Sequence, residues 1–400
     1  MVGTAYHLGA PAVGPTDNGW AVAWADGPHL YFCQITADGV LTQPQALNLG
    51  TRTPWRPVLL PAPRDGWHLL WWDLDAFGGP RLYSARLLAD GTLWRGPITV
   101  TPEAASSAAI APADDYAVVI VWADAGPRPS LYGQSLDAEG RPAAGPPTLI
   151  ARNAGWPALA RTGDRLWVLA WLALPDSPHV SSSARTATVR FSPAPLPWEA
   201  QAEPLSVGLV RSPDLTEYIE TVQLGLDATH GYLFVGWRNA ETGQPHTDAL
   251  AFLLGSAASA PLSQEAASAV SLPATPPATP NPFTTGFNTG PAVALPAAEA
   301  PVQAQAGWPT PAWGQSATLP VAFVLEGQIA VGYFQGGRLA AYQPITLGSD
   351  VIGPPGLWAD RDRHLSLAWA SRPAQEGARP VLVLSSTRPS LREAFNPQSG

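Results

Sequence analysis

The chain has 400 residues, 46% hydrophobic and 13% charged, with a formal net charge of −9. That composition can bury a large core, and the acidic balance disfavours a nucleic-acid partner or an anionic membrane surface, both of which need a cationic face. All 22 basic residues are arginine, and the single cysteine, Cys33, leaves no internal disulfide and no thiolate metal cluster.

No apolar window is long enough to span a bilayer, so this segment is not expected to insert into a membrane. The first residues, MVGTAYHLGAP, lack the basic stretch and apolar core of a signal peptide. The repeat described next begins so early that loss of a leader or anchor fits the pattern equally well.

Residues 24–39, WADGPHLYFCQITADG, are written again at 72–91 (WDLDAFGGPRLYSARLLADG) and at 122–140 (WADAGPRPSLYGQSLDAEG). Each unit opens on a Pro-containing run and a turn: NGW at 18–20, DGW at 65–67, DDY at 114–116. An apolar run then closes on tryptophan (AVAW, HLLWW, AVVIVW), followed by a loop, a Leu-Tyr run, a turn such as ADG or AEG, and a last short run. Short segments rich in β-branched and aromatic residues, bounded by Gly, Asp, Asn and Pro, predict consecutive antiparallel strands joined by hairpins.

The tryptophan that closes the second run falls at Trp24, Trp72, Trp122, Trp171, Trp237 and Trp369, with Leu325 in the equivalent place. The spacing stays near fifty residues except before Trp237 and Leu325, where Pro-, Ala- and Ser-rich text intervenes. Seven units of four strands is the simplest count. Residues 255–307 break the rhythm and read as an Ala/Pro/Ser-rich insertion that supplies part of the fifth unit's last strand; the alternative is a degenerate eighth unit there. The last unit has only three runs before a polar tail at 390–400. AYHLG at 5–9 matches the ends of two fourth strands, ALNLG at 46–50 and PITLG at 344–348, and is expected to complete that last unit.

Four-stranded units at this period resemble the blades of β-propellers, including the sialidase-like and other bacterial surface propellers. The resemblance implies one all-β domain over residues 1–400, a seven-bladed ring without open sheet edges. It also implies that loops from second to third strand, and from blade to blade, share one face around the channel. That face would carry Asp26, Asp73, Asp124 and Glu326 after the ruler positions, and Trp55, Arg56, Trp156 and Trp308 at blade entrances. These eight are the candidate ligand-binding residues. The acids could bind a cation or a polyhydroxylated ligand, but an Asp that recurs once per blade more simply accepts hydrogen bonds in its own turn. The indoles could stack on sugar rings or close the channel mouth.

No residue is read as catalytic. The turns TADGVL, LADGTLW and LDAEGRP do not match the sialidase Asp-box, and neither a GxSxG elbow, a Walker loop nor an HExxH pair appears. No metal or cofactor is expected. The function expected on these grounds is a non-catalytic, extracytoplasmic scaffold (extracellular, periplasmic or cell-surface) that binds a protein or glycan on its loop face. The alternative is a sialidase-like or other glycoside hydrolase with carboxylates at the channel mouth.

Overall fold

In each unit the apolar run, ending in tryptophan in six and in Leu325 in the other, forms a second strand buried on both faces, and this double burial dictates the architecture. The computed structural model describes residues 10–16, 19–36, 40–162, 166–173, 186–192, 205–208, 217–242, 245–254, 268–270, 293–294, 306–311, 318–325, 328–345, 350–351, 353–359, 364–372 and 381–387. Among them the strands make seven small antiparallel sheets in a ring, a seven-bladed β-propeller.

Listed from the axis outward, blade one is Ala12–Thr16, Gly19–Asp26, His29–Thr36 and Gln45–Leu47. Blade two is Trp55–Ala62, Gly66–Leu74, Pro80–Leu87 and Leu93–Thr99. Blade three is Ala105–Pro112, Val118–Asp124, Ser130–Leu136 and Thr148–Arg152. Blade four is Ala154–Arg161, Trp167–Ala173, Thr186–Ser192 and Leu205–Gly208. Blade five is Glu217–Leu226, His230–Asn239, Pro245–Leu253 and Ser268–Val270, the last drawn from the Ala/Pro-rich insertion. Blade six is Ala306–Pro311, Leu319–Leu325, Gln328–Gln335 and Arg338–Ile345, with Val293–Ala294 paired outside its last strand. Blade seven is Gly356–Ala359, Leu365–Arg372 and Val381–Ser386, with Asp350–Val351 on the inner side of its second strand. Among the described residues there is no eighth sheet; residues 5–9, expected to finish blade seven, lie outside them.

The inner strands touch in order around the axis, and Ala12–Thr16 of blade one meets Gly356–Ala359 of blade seven, so the ring closes. Seven apolar clusters fill the seven interfaces between adjacent blades. The closing interface packs Val13, Trp20, Trp24 and Cys33 of blade one on Ala368, Ala370 and Leu382 of blade seven. The others repeat this arrangement, from blades one and two to blades six and seven. Each second strand lies between two such clusters, which is why Gly66–Leu74 is buried almost throughout instead of alternating with polar residues. All six ruler tryptophans are buried in these clusters. Cys33 is one more packing residue: burial pushes its thiol up to about 12, far from any nucleophilic range.

Two buried polar groups tie neighbouring blades. Asp227, in the first turn of blade five, accepts from the Thr229 and His230 N–H groups (2.7 and 2.6 Å), the Tyr232 hydroxyl (2.6 Å) and the Gly336 N–H of blade six (3.0 Å). Tyr232 Oη in turn accepts from the Gly337 N–H at 2.9 Å. Burial pushes the Asp227 carboxyl up, but these donors outweigh it and hold the group below the usual carboxylate range. Gly336 and Gly337, at φ 59° and 80°, sit where a side chain would be strained, so glycine lets the hairpin present both N–H groups. Replacing Asp227 by Ala should cost about 3 kcal/mol by orphaning several buried donors, and Tyr232→Phe about 1 kcal/mol. Both are read as falls in the thermal midpoint, with Asp227→Ala the larger.

His68 in blade two is fully buried, and its Nε2 lies 2.9 Å from the Tyr116 carbonyl of blade three. A carbonyl only accepts, so Nε2 carries the proton; Nδ1 has no hydrogen-bond partner. Burial lowers its pKa to about 4, assisted by Arg86 and opposed by the Tyr116 carbonyl, Asp137 and Glu139. The folded value is below the ordinary value of 6.5, so this group's share of stability is complete above pH 6.5 and is lost as pH falls toward about 4. The loss is on the order of 3 kcal/mol. The thermal midpoint of the wild type should therefore fall more steeply across that window than that of His68→Gln.

Candidate functional site

The register fixes which ends of the strands share a face. Trp55 opens the inner strand of blade two opposite Trp72, near the end of the second strand, while Ala62 lies opposite Gly66 at the other end. The loop 75–79 between second and third strands and the connections 100–104 and 48–54 therefore lie together, on the loop face.

Inside the ring runs a channel of about 620 Å3 whose wall is made by the inner strands of every blade. Ala, Pro, Val and Leu supply most of that wall, as at Ala12, Val58, Ala109, Ala158, Val222 and Leu357. Charge is confined to its ends. At the far end Arg161 binds Asp114 through both guanidinium nitrogens, at 3.0 and 2.7 Å, and lies 5.4 Å from the Trp167 ring centroid. Among the described residues lining the channel Asp114 is the one acid, so no carboxylate pair faces another there.

At the loop-face end the inner strands are bulged. In blades two, four and six the ladder skips from Trp55 to Val58, Gly155 to Ala158 and Gly307 to Thr310, which leaves Arg56-Pro57, Trp156-Pro157 and Trp308-Pro309 in equivalent bulges. Arg56 and Trp156 both sit in the left-handed region, at φ 46° and 48°, where a non-glycine residue costs roughly 1 kcal/mol or more. Both line the channel mouth. The Trp156 N–H is anchored on Ser107 Oγ at 3.2 Å.

The aligned bulges correct the grouping that sequence spacing gives to the three blade-entrance tryptophans. Trp156 and Trp308 correspond to Arg56, not to Trp55, which stacks on Trp72 with centroids 6.3 Å apart and planes at 17°. The Trp308 side chain lies outside the described residues, as does Glu326.

Asp73 and Asp124 hold loop backbone in place. Asp73, 5% exposed, accepts from the Arg52 N–H (2.9 Å), Thr53 N–H (2.8 Å) and Leu74 N–H (2.8 Å), fastening the entrance to blade two onto its second strand. Asp124 accepts from the Gly126 and Ser130 N–H groups within its own hairpin, at 3.0 and 3.3 Å. Asp26 ends the second strand of blade one opposite His29 and is half-buried. Asp75 accepts from the Phe77 and Gly79 N–H groups and from Arg81 Nε at 2.7 Å; the backbone donors lead in holding its carboxyl below the usual range. Asp73→Ala should cost about 2–3 kcal/mol, because three loop N–H groups lose their acceptor. Asp124→Ala should cost less, with its weaker bonds and more open site, as thermal midpoints of the two variants can establish.

No protein-family model matches the chain, and no curated protein is similar to it in sequence. Solved structures are. An ulvan lyase, a polysaccharide lyase solved bound to -[GlcA(1-4)Rha3S]-, is 10% identical with a TM-score of 0.56, over 95% of this chain and 94% of that one. The polysaccharide lyase Uly1 is also 10% identical, with a TM-score of 0.57 over 96% of this chain and 91% of that one. A thermostable family-43 glycoside hydrolase matches more loosely, at 11% identity and a TM-score of 0.39 over 65% of this chain and 96% of that one. Across essentially its whole length this chain shares the fold of these two lyases.

Proposed function

We propose that this protein acts on a uronate-containing polysaccharide at the loop-face mouth of its channel, breaking the chain by β-elimination. The observation that carries the reading is the division of labour at that mouth. A guanidinium, Arg56, and an aromatic, Trp156, are held on strained bulges lining the opening, while Asp73 braces the entrance to blade two and Asp75 and Asp124 accept within their own hairpins. Hydrolysis of a glycoside ordinarily uses two free carboxyls flanking the bond, and none face one another among the described channel residues. Elimination needs different parts: a cation that neutralises the uronate carboxylate and so acidifies the adjacent C–H, and a base that removes that proton as the glycosidic oxygen departs. Arg56 supplies the cation and Trp156 a face for a sugar ring.

Tyr218 and His246 carry residue types able to take the proton. Strand register sets both at the loop-face end of blade five, Tyr218 opposite Arg238 and His246 opposite Trp237. The whole-chain likeness to polysaccharide lyases favours a glycan-acting enzyme over the non-catalytic scaffold expected from the repeat pattern. Polysaccharide of this kind lies outside cells, which fits an extracytoplasmic location.

The test is incubation of the purified chain with ulvan and other uronate polysaccharides, followed by the ultraviolet absorbance of the unsaturated uronate that elimination leaves. Wild type should generate that absorbance. Arg56→Ala should reduce kcat/KM at least about a hundredfold, the loss of one strong charge-assisted contact in the transition state. Trp156→Ala should act mainly on KM and should also lower the thermal midpoint, because the indole packs on the cluster between blades four and five, whereas the exposed Arg56 leaves no cavity when truncated. Retention of the polysaccharide without new absorbance would return the protein to the class of binding modules.

A further inference from the structure

The face opposite the mouth carries two exposed aromatic side chains that blade packing does not use. The turns between first and second strands, and between third and fourth, lie at this far end, where Ala62 pairs with Gly66 and Leu87 with Leu93. Six large apolar side chains are exposed among the described residues, and Val40, Leu93, Trp94 and Tyr116 stand here. Val40 and Leu93 are single aliphatic residues of the kind surfaces normally show. Trp94 and Tyr116, 51% and 52% exposed, are different because their surroundings hold them in place.

Trp94 is the second residue of the outer strand of blade two. The Arg64 guanidinium lies over its ring, 5.7 Å from the centroid, and its Nε1–H donates to Glu139 Oε2 of blade three at 3.3 Å. One side of the indole is backed and its edge is pinned, so the exposed half is a fixed surface. Tyr116 stands on the same seam between blades two and three. Its carbonyl meets His68 Nε2 at 2.9 Å, while Gly140, the neighbour of Glu139, lies against the Nδ1 edge of that imidazole.

The polar groups around the indole are uncommitted. Among the described residues the Arg64 guanidinium makes no hydrogen bond, Glu139 Oε1 accepts none and the Tyr116 hydroxyl has no partner. The neighbouring acids are occupied by contrast: Asp90 accepts from Thr92, and Asp137 from Glu139 and Arg141. The seam therefore offers a fixed apolar surface flanked by free donors and a free acceptor.

This combination selects a ligand class. A protein interface core is depleted of charge, whereas Arg64, Asp65, Asp90, Glu139 and Arg141 interrupt the apolar surface here. A simple anion would meet Glu139, and a simple cation would meet Arg64. A sugar ring has an apolar C–H face for the indole and hydroxyls that donate to the carboxylate and accept from the guanidinium. The inner strand Trp55–Ala62 has eight residues, so at about 3.3 Å per residue the seam is about 25 Å from the mouth. One sugar residue cannot occupy both places.

We propose that the far face carries a second, non-catalytic sugar site, in which one pyranose ring of a neutral glycan stacks on Trp94 and hydrogen-bonds to Arg64 and Glu139. This assignment rests on the seam alone and not on the chemistry read at the mouth.

The experiment is an NMR titration of the full chain with cellotetraose, xylotetraose and mannotetraose, uncharged probes that give the mouth no carboxylate to hold. The reporter is the Trp94 indole N–H, assigned with Trp94→Phe. At least one probe should shift it saturably. Trp94→Ala should abolish binding, with the thermal midpoint taken alongside to show that the variant is folded. Glu139→Gln keeps an acceptor for the indole N–H but removes the charge, and should weaken binding about fivefold. Arg56→Ala should leave affinity unchanged. A Trp94 signal unmoved by all three probes, or full affinity in Trp94→Ala, would overturn the site. Concentration-dependent self-association that Trp94→Ala abolishes, with no response to sugars, would assign the seam to protein contact instead. Uronate-polysaccharide cleavage with an unresponsive Trp94 removes this site and leaves the mouth reading standing; a responsive Trp94 without cleavage does the reverse.

Discussion

Everything in this molecule depends on blades that cannot stand alone. A sheet whose second strand is apolar on both faces has no solvent-facing side, so each blade needs a neighbour against each face. A ring is the arrangement that gives every blade two neighbours. The seven interfacial clusters are the expression of that constraint, and the contact of Ala12–Thr16 with Gly356–Ala359 makes the chain of dependence circular. Buried polar ties such as Asp227 to Gly336 and His68 to Tyr116 then fix the angular relation of particular blades within the apolar stack.

A ring braced in this way can hold strain elsewhere. Arg56 and Trp156 occupy left-handed conformations that an isolated hairpin would relax, and each is followed by proline, which limits the alternatives further. The bulges break the ladder at the mouth and set Arg56 and Trp156 on its wall, where the Trp156 indole also packs on the cluster between blades four and five. The carboxylates show the opposite assignment. Asp73 and Asp124 look exposed and reactive as a pattern of loop acids, but Asp73 braces the connection that leads to Arg56 and Asp124 organises its own hairpin.

The repeat was legible because it is a packing requirement: a tryptophan that must fill an interface recurs wherever an interface recurs. Strand order, blade count and the burial of Cys33 followed from that regularity, whereas Asp73, expected to serve its own turn, mainly holds the Arg52–Thr53 backbone at the entrance to the blade. The bulges were not legible. Aligning TPWRP with AGWPA by tryptophan puts Trp55 beside Trp156, whereas the ladder aligns them by proline and puts Arg56 there. The usable signal was the residue before proline at the start of an inner strand.

The most direct test of the account is an experimental structure of the protein soaked with an oligosaccharide of the -[GlcA(1-4)Rha3S]- type. The account predicts a chain lying across the loop face, with a uronate carboxylate on the Arg56 guanidinium and a sugar ring against Trp156. An oligosaccharide seated at the Asp114–Arg161 end of the channel, or along the outer strands of the blades with the mouth untouched, would contradict it.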